Sequence, residues 1–225
     1  MKLLHLADLH GKPERADDFL KSLSVARARA ASDAVDLIIL AGDIWDGVIR
    51  NTRGSRFPEM IEGVRSLADV APVVLVYGTP THDADGSLDI FPTLDSKFGI
   101  TILQPGKTYF LVRHPVDDAG RVIESDHALD YSQAILFGVP EPSKKWLIED
   151  AASGAEAEKS VRDRLRGLFA GLGVIRRQYS SLPCVLVYHG QVGGAVLQNG
   201  ELLDNGSGIR PSIDDLAMVG ADYYA

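Results

Sequence analysis

Four short apolar segments of this chain share one feature, because each ends abruptly at aspartate or histidine residues. They are residues 3–6 before Asp8 and His10, 37–40 before Gly42-Asp43, 73–76 before His82-Asp83, and 185–187 before His189. Apolar runs of this length are typical of buried strands. Since ligands of open α/β sheets bind beyond the carboxyl ends of the strands, the pattern predicts that these side chains come together at one site.

The remaining segments indicate an α/β protein of one domain. Spacing and composition predict helices over about 15–31, 58–68 and 151–177, the last broken by Gly171 and Gly173. Period-two runs around a hairpin signal predict antiparallel edge strands at 108–113, 121–124 and 133–139. This order of elements favours two sheets packed together, with helices outside.

Composition excludes several classes of protein. No apolar run reaches the roughly 18 residues that a membrane span needs, and the start of the chain lacks a signal pattern, so no membrane partner is expected. The single cysteine, Cys184, excludes an internal disulfide and is compatible with a reducing cytoplasm, the location we expect. The net charge of −8 argues against nucleic-acid binding over the whole protein surface, but it is compatible with binding by a local basic patch.

The four strand ends offer a mixed set of oxygen and nitrogen ligands. Carboxylates and imidazoles together suit Mn²⁺, Fe²⁺ or Zn²⁺ rather than Ca²⁺. Asp8 and His10 can reach one ion, and Asp43 has oxygens to share between two ions about 4 Å apart. Each residue alone is more simply explained as a cap or turn residue. Four sites that follow one pattern favour a metal centre.

The motifs resemble those of the calcineurin-like metallophosphoesterases. In order, they are Asp8-Leu9-His10, Gly42-Asp43-Ile44-Trp45-Asp46, His82-Asp83 and His189-Gly190. The flanking strings Leu4-His5-Leu6-Ala7-Asp8 and Gly220-Ala221-Asp222-Tyr223-Tyr224-Ala225 are most similar to the SbcD-type nuclease branch. The resemblance implies a four-layer αββα sandwich of two mixed sheets flanked by helices. It also implies two divalent metal ions, usually manganese, with iron or zinc as alternatives.

The resemblance assigns ligand roles to the motif residues. Asp8 and His10 hold the first metal in this assignment, Asp43 bridges the two metals, and His189 holds the second. Asp46 is expected to orient the ligands without binding metal itself.

The same comparison assigns the acid–base chemistry to the third motif. His82 is the unligated acid that stabilises or protonates the leaving oxygen, since histidine titrates near neutral pH. Asp83 is expected to orient the His82 ring.

Two departures from the family pattern concern the metal sites. Family members carry Gly-Asn-His-Asp, whereas this chain reads Gly78-Thr79-Pro80-Thr81-His82-Asp83, which places Thr81 as a weak ligand where the asparagine is expected. The family's last motif, Gly-His-x-His, is expected directly after Ala225. We therefore expect residues 1–225 to be a metallophosphoesterase domain truncated before this motif and lacking a cap domain, with metal binding partial or absent in this form.

The preferred function is a DNA exonuclease or endonuclease of SbcD type in repair or recombination, with Arg50, Arg53 and Arg56 as phosphate contacts. One alternative is a phosphodiesterase or phosphatase acting on nucleotides or other small molecules, which the acidic composition favours. Another is a non-catalytic subunit whose metal site is degenerate. By resemblance alone, an ATPase subunit of SbcC type and a homodimer are expected partners.

Overall fold

The structure is a computed structural model that describes residues 1–47, 56–116, 120–142, 154–196, 199–200 and 209–225. The strands of these regions are β1 (Leu3–Leu6), β2 (Leu37–Ala41), β3 (Val73–Val76), β4 (Ile100–Ile102), β5 (Tyr109–Arg113), β6 (Gly120–Glu124), β7 (Ser132–Val139), β8 (Cys184–Tyr188) and β9 (Tyr223–Tyr224). The helices are α1 (Ala16–Asp33), α2 (Phe57–Arg65), α3 (Gly154–Gln178) and α4 (Ile213–Ala217), with short 3₁₀ segments at Pro13–Arg15, Ser66–Asp69 and Phe91–Thr93.

The first four strands form one sheet in the order β1-β2-β3-β4, and every pairing in it is parallel. The prediction of two mixed sheets therefore holds for the second sheet only. A parallel pair needs a crossover connection, and α1 and α2 provide it after β1 and β2. Because the strands point the same way, the loops after β1, β2 and β3 all leave from one edge of the sheet.

The second sheet has the order β6-β5-β7-β8-β9 and is mixed. β5 pairs antiparallel with β6 and β7, which confirms the predicted antiparallel strands. Their prediction as edge strands is wrong for β5, which lies between β6 and β7, and for β7, which lies between β5 and β8. β8 is therefore interior, and the chain leaves its carboxyl end at His189.

Alternate residues of β2 separate the two sides of the first sheet. Ile38 and Leu40 belong to the apolar layer under α1 and α2. Leu37, Ile39 and Ala41 belong to the layer between the two sheets. A third apolar layer lies between the second sheet and α3. This is the four-layer αββα arrangement that the resemblance implied, and the fold class is confirmed.

α3 runs without interruption through both glycines that were predicted to break it, so that prediction is wrong. A Cβ atom added at Gly173 would lie 2.1 Å from the carbonyl oxygen of Met218. The glycine thus lets the turn after α4 approach the helix closely, and the loss of helix propensity, about 1 kcal/mol, is tolerated. None of the helices described is long and apolar enough to cross a membrane.

Candidate metal centre

Five of the predicted site residues come together beyond the ends of four strands. They form two groups of three, namely Asp8, Asp43 and His189, and His10, Asp43 and His82. Within each group the ligand atoms lie within 4.8 Å of one another. Asp43 belongs to both groups and is 4% exposed. The structure therefore brings the predicted residues to one point, with Asp43 at the centre.

Hydrogen bonds between two loops explain how Asp8 and His10 reach Asp43. The amides of Asp8 and His10 donate to the carbonyls of Gly42 (3.2 Å) and Asp43 (3.0 Å), so the loop after β1 runs beside the loop after β2. Asp8, His10 and Asp43 all have positive φ angles, of 53°, 45° and 51°. This conformation is strained for residues other than glycine, and such strain concentrates at functional sites. Here it accompanies the turning of three side chains toward one point.

Two glycines make room for the cluster. A Cβ atom at Gly78 would lie 2.1 Å from both the amide nitrogen and Oδ1 of Asp43. A Cβ atom at Gly42 would lie 2.3 Å from Nδ1 of His189, and Gly42 also has a φ of +83°. Any larger residue at these positions would displace a candidate ligand.

Asp43 is held by contacts from three directions. Nδ1 of His82 lies 2.7 Å from Oδ2, Nε2 of His189 lies 3.3 Å from Oδ1, and the amide of Thr79 donates to Oδ1 at 2.6 Å. Burial alone would raise the pKa of this carboxyl. The hydrogen bonds from His189, His82 and Thr79 outweigh burial, and the pKa lies well below its ordinary value. Asp43 is thus an anion over the physiological range, as a bridging ligand must be.

The ring of His189 is oriented as a metal ligand requires. Its Nδ1 lies 2.6 Å from the carbonyl oxygen of Ala41 and can only donate to it, which leaves Nε2 directed at Asp43. Burial would lower the pKa of His189, but the hydrogen bonds with Asp43 and Ala41 outweigh it and raise the pKa to about 9. This donor set, with its fixed imidazole orientation and ionised carboxylate, fits divalent metal ions.

The remaining pair, His10 and His82, lies edge to face with ring centroids 4.7 Å apart. The geometry therefore places His82 within the second group of potential ligands as well as beside Asp43. Its assignment as an acid rather than a ligand stays a prediction.

Asp83 does not contact the His82 ring in the way the sequence suggested. Its carboxylate accepts hydrogen bonds from the amides of Gly78 (2.9 Å), Trp45 (3.0 Å) and Ile44 (3.3 Å). Burial raises the pKa of Asp83, although the backbone hydrogen bonds act against this shift. Asp83 thus ties the loop after β2 to the loop after β3, and Asp43 is the carboxylate that holds His82.

Thr79, which the sequence reasoning did not single out, reaches the cluster where Thr81 was expected. Its hydroxyl lies 3.2 Å from Oδ2 of Asp43, whereas Thr81 is exposed. The position directly after Gly78 was the available signal, because the family's asparagine also follows the glycine. In the family pattern one residue separates the glycine from the histidine, whereas three separate Gly78 from His82 here. The sequence prediction took the residue before His82, which is Thr81, rather than the residue after Gly78, which is Thr79.

Lys12 was also missed, and it pairs with Asp46. The ammonium group of Lys12 donates to Oδ2 of Asp46. This hydrogen bond is the main cause that lowers the pKa of Asp46, and the charges of His10 and His82 add to it. Asp46 therefore lies near both imidazoles, but the partner that the structure gives it is a lysine.

The predicted arginine contacts divide into two cases. Arg50 and Arg53 lie outside the described residues. Arg56 immediately precedes α2, and its guanidinium binds the carboxylates of Asp17 and Glu59. These hydrogen bonds raise the pKa of Arg56. In this structure Arg56 is engaged by acidic neighbours rather than directed at the cluster.

Comparison with known proteins identifies similar proteins for part of the chain. The sequence model described as calcineurin-like phosphoesterase matches residues 1–147. The DNA double-strand break repair protein Mre11 of Aeropyrum pernix is 33% identical over 95 residues, which make up 39% of this chain. The match spans only 22% of the length of that relative.

Proposed function

The chain belongs to the calcineurin-like phosphoesterase family, and we propose that it is a dinuclear, metal-dependent phosphodiesterase of the nuclease type that cleaves DNA. The observation that carries the proposal is the sharing of Asp43 between two groups of potential ligands. A shared carboxylate between two ligand sets is characteristic of two-metal hydrolases. The similarity of one segment to a DNA repair protein supports DNA as the substrate.

We assign the metals to the residues as follows. By the resemblance, Asp8 and His10 would hold one ion and His189 the other, with Asp43 as the bridge. The two ligand groups of the structure divide these residues differently, because Asp8 is grouped with His189, and His10 with His82. Asp8 and His10 are still close enough to share an ion, since Oδ1 of Asp8 lies 4.0 Å from Nε2 of His10. Divalent ions in these positions supply Lewis-acid activation of water and neutralise charge on the phosphoryl oxygens. Manganese is the ion we expect because the resemblance to the nuclease branch implies it, while the mixed carboxylate and imidazole donors would also suit iron or zinc.

His82 supplies the proton for the leaving group in this proposal. Asp43 fixes Nδ1 of the ring at 2.7 Å, and no hydrogen bond joins Nε2 to another residue in the described part of the chain. The carboxylate at Nδ1 orients the ring, so Nε2 is the nitrogen available to donate a proton to the leaving alkoxide. Asp83 contributes indirectly, because its hydrogen bonds to three amides hold the His82 loop against the Asp43 loop.

Hydrolysis of bis-p-nitrophenyl phosphate with Mn²⁺ tests the activity. The His82→Ala variant should lose at least about a hundredfold in kcat, the usual scale of general acid–base catalysis. His127→Ala is the matched control, because His127 is exposed and lies outside the cluster. A wild-type protein that binds Mn²⁺ but hydrolyses neither this diester nor DNA would overturn the proposal. Cleavage of nucleotides but not of single-stranded or duplex DNA would redirect it to a small-molecule phosphodiesterase.

Location and partners are proposals drawn from the nuclease branch. We place the protein in the cytoplasm, where the buried free thiol of Cys184 would remain reduced. We expect a homodimer and a complex with an ATPase subunit of SbcC type. Light scattering of the purified protein, alone and mixed with such a subunit, tests both.

A further inference from the structure

We infer that Lys12 is a phosphate-binding residue of this site and that Asp46 positions its ammonium group. The inference rests on the proposed hydrolysis of phosphodiesters, and it names the cation that receives the substrate's negative charge.

The backbone places Lys12 at the edge of the cluster. Gly11 pairs with Trp45 through a parallel bridge, and the amide of Asp46 donates to the carbonyl of Gly11 at 3.0 Å. Lys12 comes two residues after His10. These contacts hold its loop beside the loop that carries Asp43 and Asp46. The side chains of Lys12 and Asp46 are 39% and 31% exposed, so solvent reaches the pair.

A purely structural role explains the pair poorly. Half-exposed ion pairs contribute about 0–1 kcal/mol to stability. The two loops are already joined by the backbone hydrogen bonds of Asp8, His10, Gly11 and Asp46. The ion pair is not needed to hold the loops, and what it adds is a fixed position for one positive charge.

The carboxylates of the site leave a place for a cation beside the proposed ions. Asp8 and Asp43 belong to the ligand groups and would face those ions, whereas Asp46 lies outside both groups and has Lys12 as its partner. Arg56 is engaged by Asp17 and Glu59. An ammonium held by Asp46 beside His10 and His82 offsets local repulsion and can donate to a phosphoryl oxygen, since such charge-assisted hydrogen bonds are among the stronger ones.

Substitution of Lys12 tests the inference. Lys12→Met should raise KM for bis-p-nitrophenyl phosphate roughly tenfold with a much smaller change in kcat, because the lost contact exists in both ground and transition states. Lys12→Arg should recover part of the loss. Lys21→Met is the matched control, because Lys21 is exposed on α1, and its KM should equal that of the wild type.

A double-mutant cycle with Asp46→Asn decides whether Lys12 contacts the phosphate. If it does, Lys12→Met still raises KM in the Asp46→Asn background. If Lys12 only neutralises Asp46, the double variant returns to the wild-type KM, and the inference is overturned. A Lys12→Met variant with unchanged KM in the wild-type background overturns it as well.

A binding measurement separates this inference from the proposed activity. Anisotropy of a labelled single-stranded oligonucleotide with Ca²⁺ present should show weaker binding by Lys12→Met, with the salt slope reduced by about one phosphate contact. If wild-type protein binds the oligonucleotide through Lys12 but hydrolyses nothing, the proposed function fails and the role of Lys12 stands. If hydrolysis is confirmed while binding is independent of Lys12, only the inference fails.

Discussion

Nε2 of His189 lies 3.3 Å from Oδ1 of Asp43, and the other ring nitrogen of His189 lies 2.6 Å from the carbonyl oxygen of Ala41. In the metal-free protein, the pair is an ion pair between a carboxylate and an imidazolium, because the pKa of His189 is raised to about 9. A divalent ion bound at His189 requires the neutral ring and displaces the proton. The contact with Asp43 therefore has two effects: it holds the His189 ring in place, and it stabilises the proton that a metal ion has to displace.

The first prediction is that apparent Mn²⁺ affinity rises with pH. Below pH 9 the ion has to displace a proton from His189, so affinity should increase up to about tenfold per pH unit between neutral pH and pH 9, and then level off. Calorimetry in buffers with different ionisation enthalpies would detect the released proton directly. An affinity that does not change over this range would contradict the prediction. His127→Ala should leave the pH profile unchanged.

The second prediction concerns the stability of the metal-free protein. The folded-state pKa of His189, about 9, exceeds its ordinary value of 6.5. Its contribution to stability is therefore fully present below pH 6.5 and is lost as pH rises through 9. The unfolding temperature should fall over this window in EDTA, and Asp43→Asn should flatten this part of the profile. A decline of equal size in Asp43→Asn would assign the effect to other groups.

The third prediction concerns Gly78. Gly78→Ala introduces a methyl group 2.1 Å from Oδ1 and the amide nitrogen of Asp43, and one of them has to move. We expect loss of measurable Mn²⁺ binding together with reduced stability. Gly167→Ala, on the exposed side of α3 with open space around the new methyl group, should be stabilising by up to about 1 kcal/mol. Calorimetry and thermal unfolding measure both effects, and normal Mn²⁺ binding by Gly78→Ala would refute the assigned geometry.

The sequence was sufficient to predict the strands that carry the site. β1, β2, β3 and β8 are short apolar runs with a polar residue just beyond their ends, and parallel strands deliver such residues to one edge. Asp43 as the shared residue also followed from its motif. The individual hydrogen bonds were not predictable, because they depend on the path of each loop rather than on residue type.

The roles of Thr79 and Lys12 could not be predicted from the sequence motifs. The segment between Gly78 and His82 is two residues longer than in the family pattern. Only the folded backbone shows that Thr79, rather than Thr81, forms hydrogen bonds with Asp43. Lys12 belongs to no recognised motif. Its position depends on the bridge between Gly11 and Trp45, a contact between residues 34 positions apart that has no local sequence signal.

The fourth prediction is that Asp83→Asn weakens the junction between the loops after β2 and β3. Three backbone amides donate hydrogen bonds to the two carboxylate oxygens of Asp83. An asparagine has only one acceptor oxygen, and its NH₂ group would face a backbone N–H that also needs an acceptor. The loss should cost about 1–3 kcal/mol of stability, even though the substitution removes a buried charge. Asp214→Asn, in the first turn of α4, is the control. Unchanged thermal unfolding of Asp83→Asn would show that the junction does not depend on the charge.

The fifth prediction is that Thr79→Asn strengthens metal binding at Asp43. The hydroxyl of Thr79 lies 3.2 Å from Oδ2 of Asp43, and an amide oxygen is a better ligand for a divalent ion than a neutral hydroxyl. We expect more Mn²⁺ bound per chain at a given concentration, measured by the loss of the free Mn²⁺ signal in electron paramagnetic resonance. Thr81→Asn is the matched control, since Thr81 is exposed and should leave binding unchanged. If Thr81→Asn raised occupancy and Thr79→Asn did not, Thr81 would be the residue that takes the asparagine's place, as the sequence alone suggested.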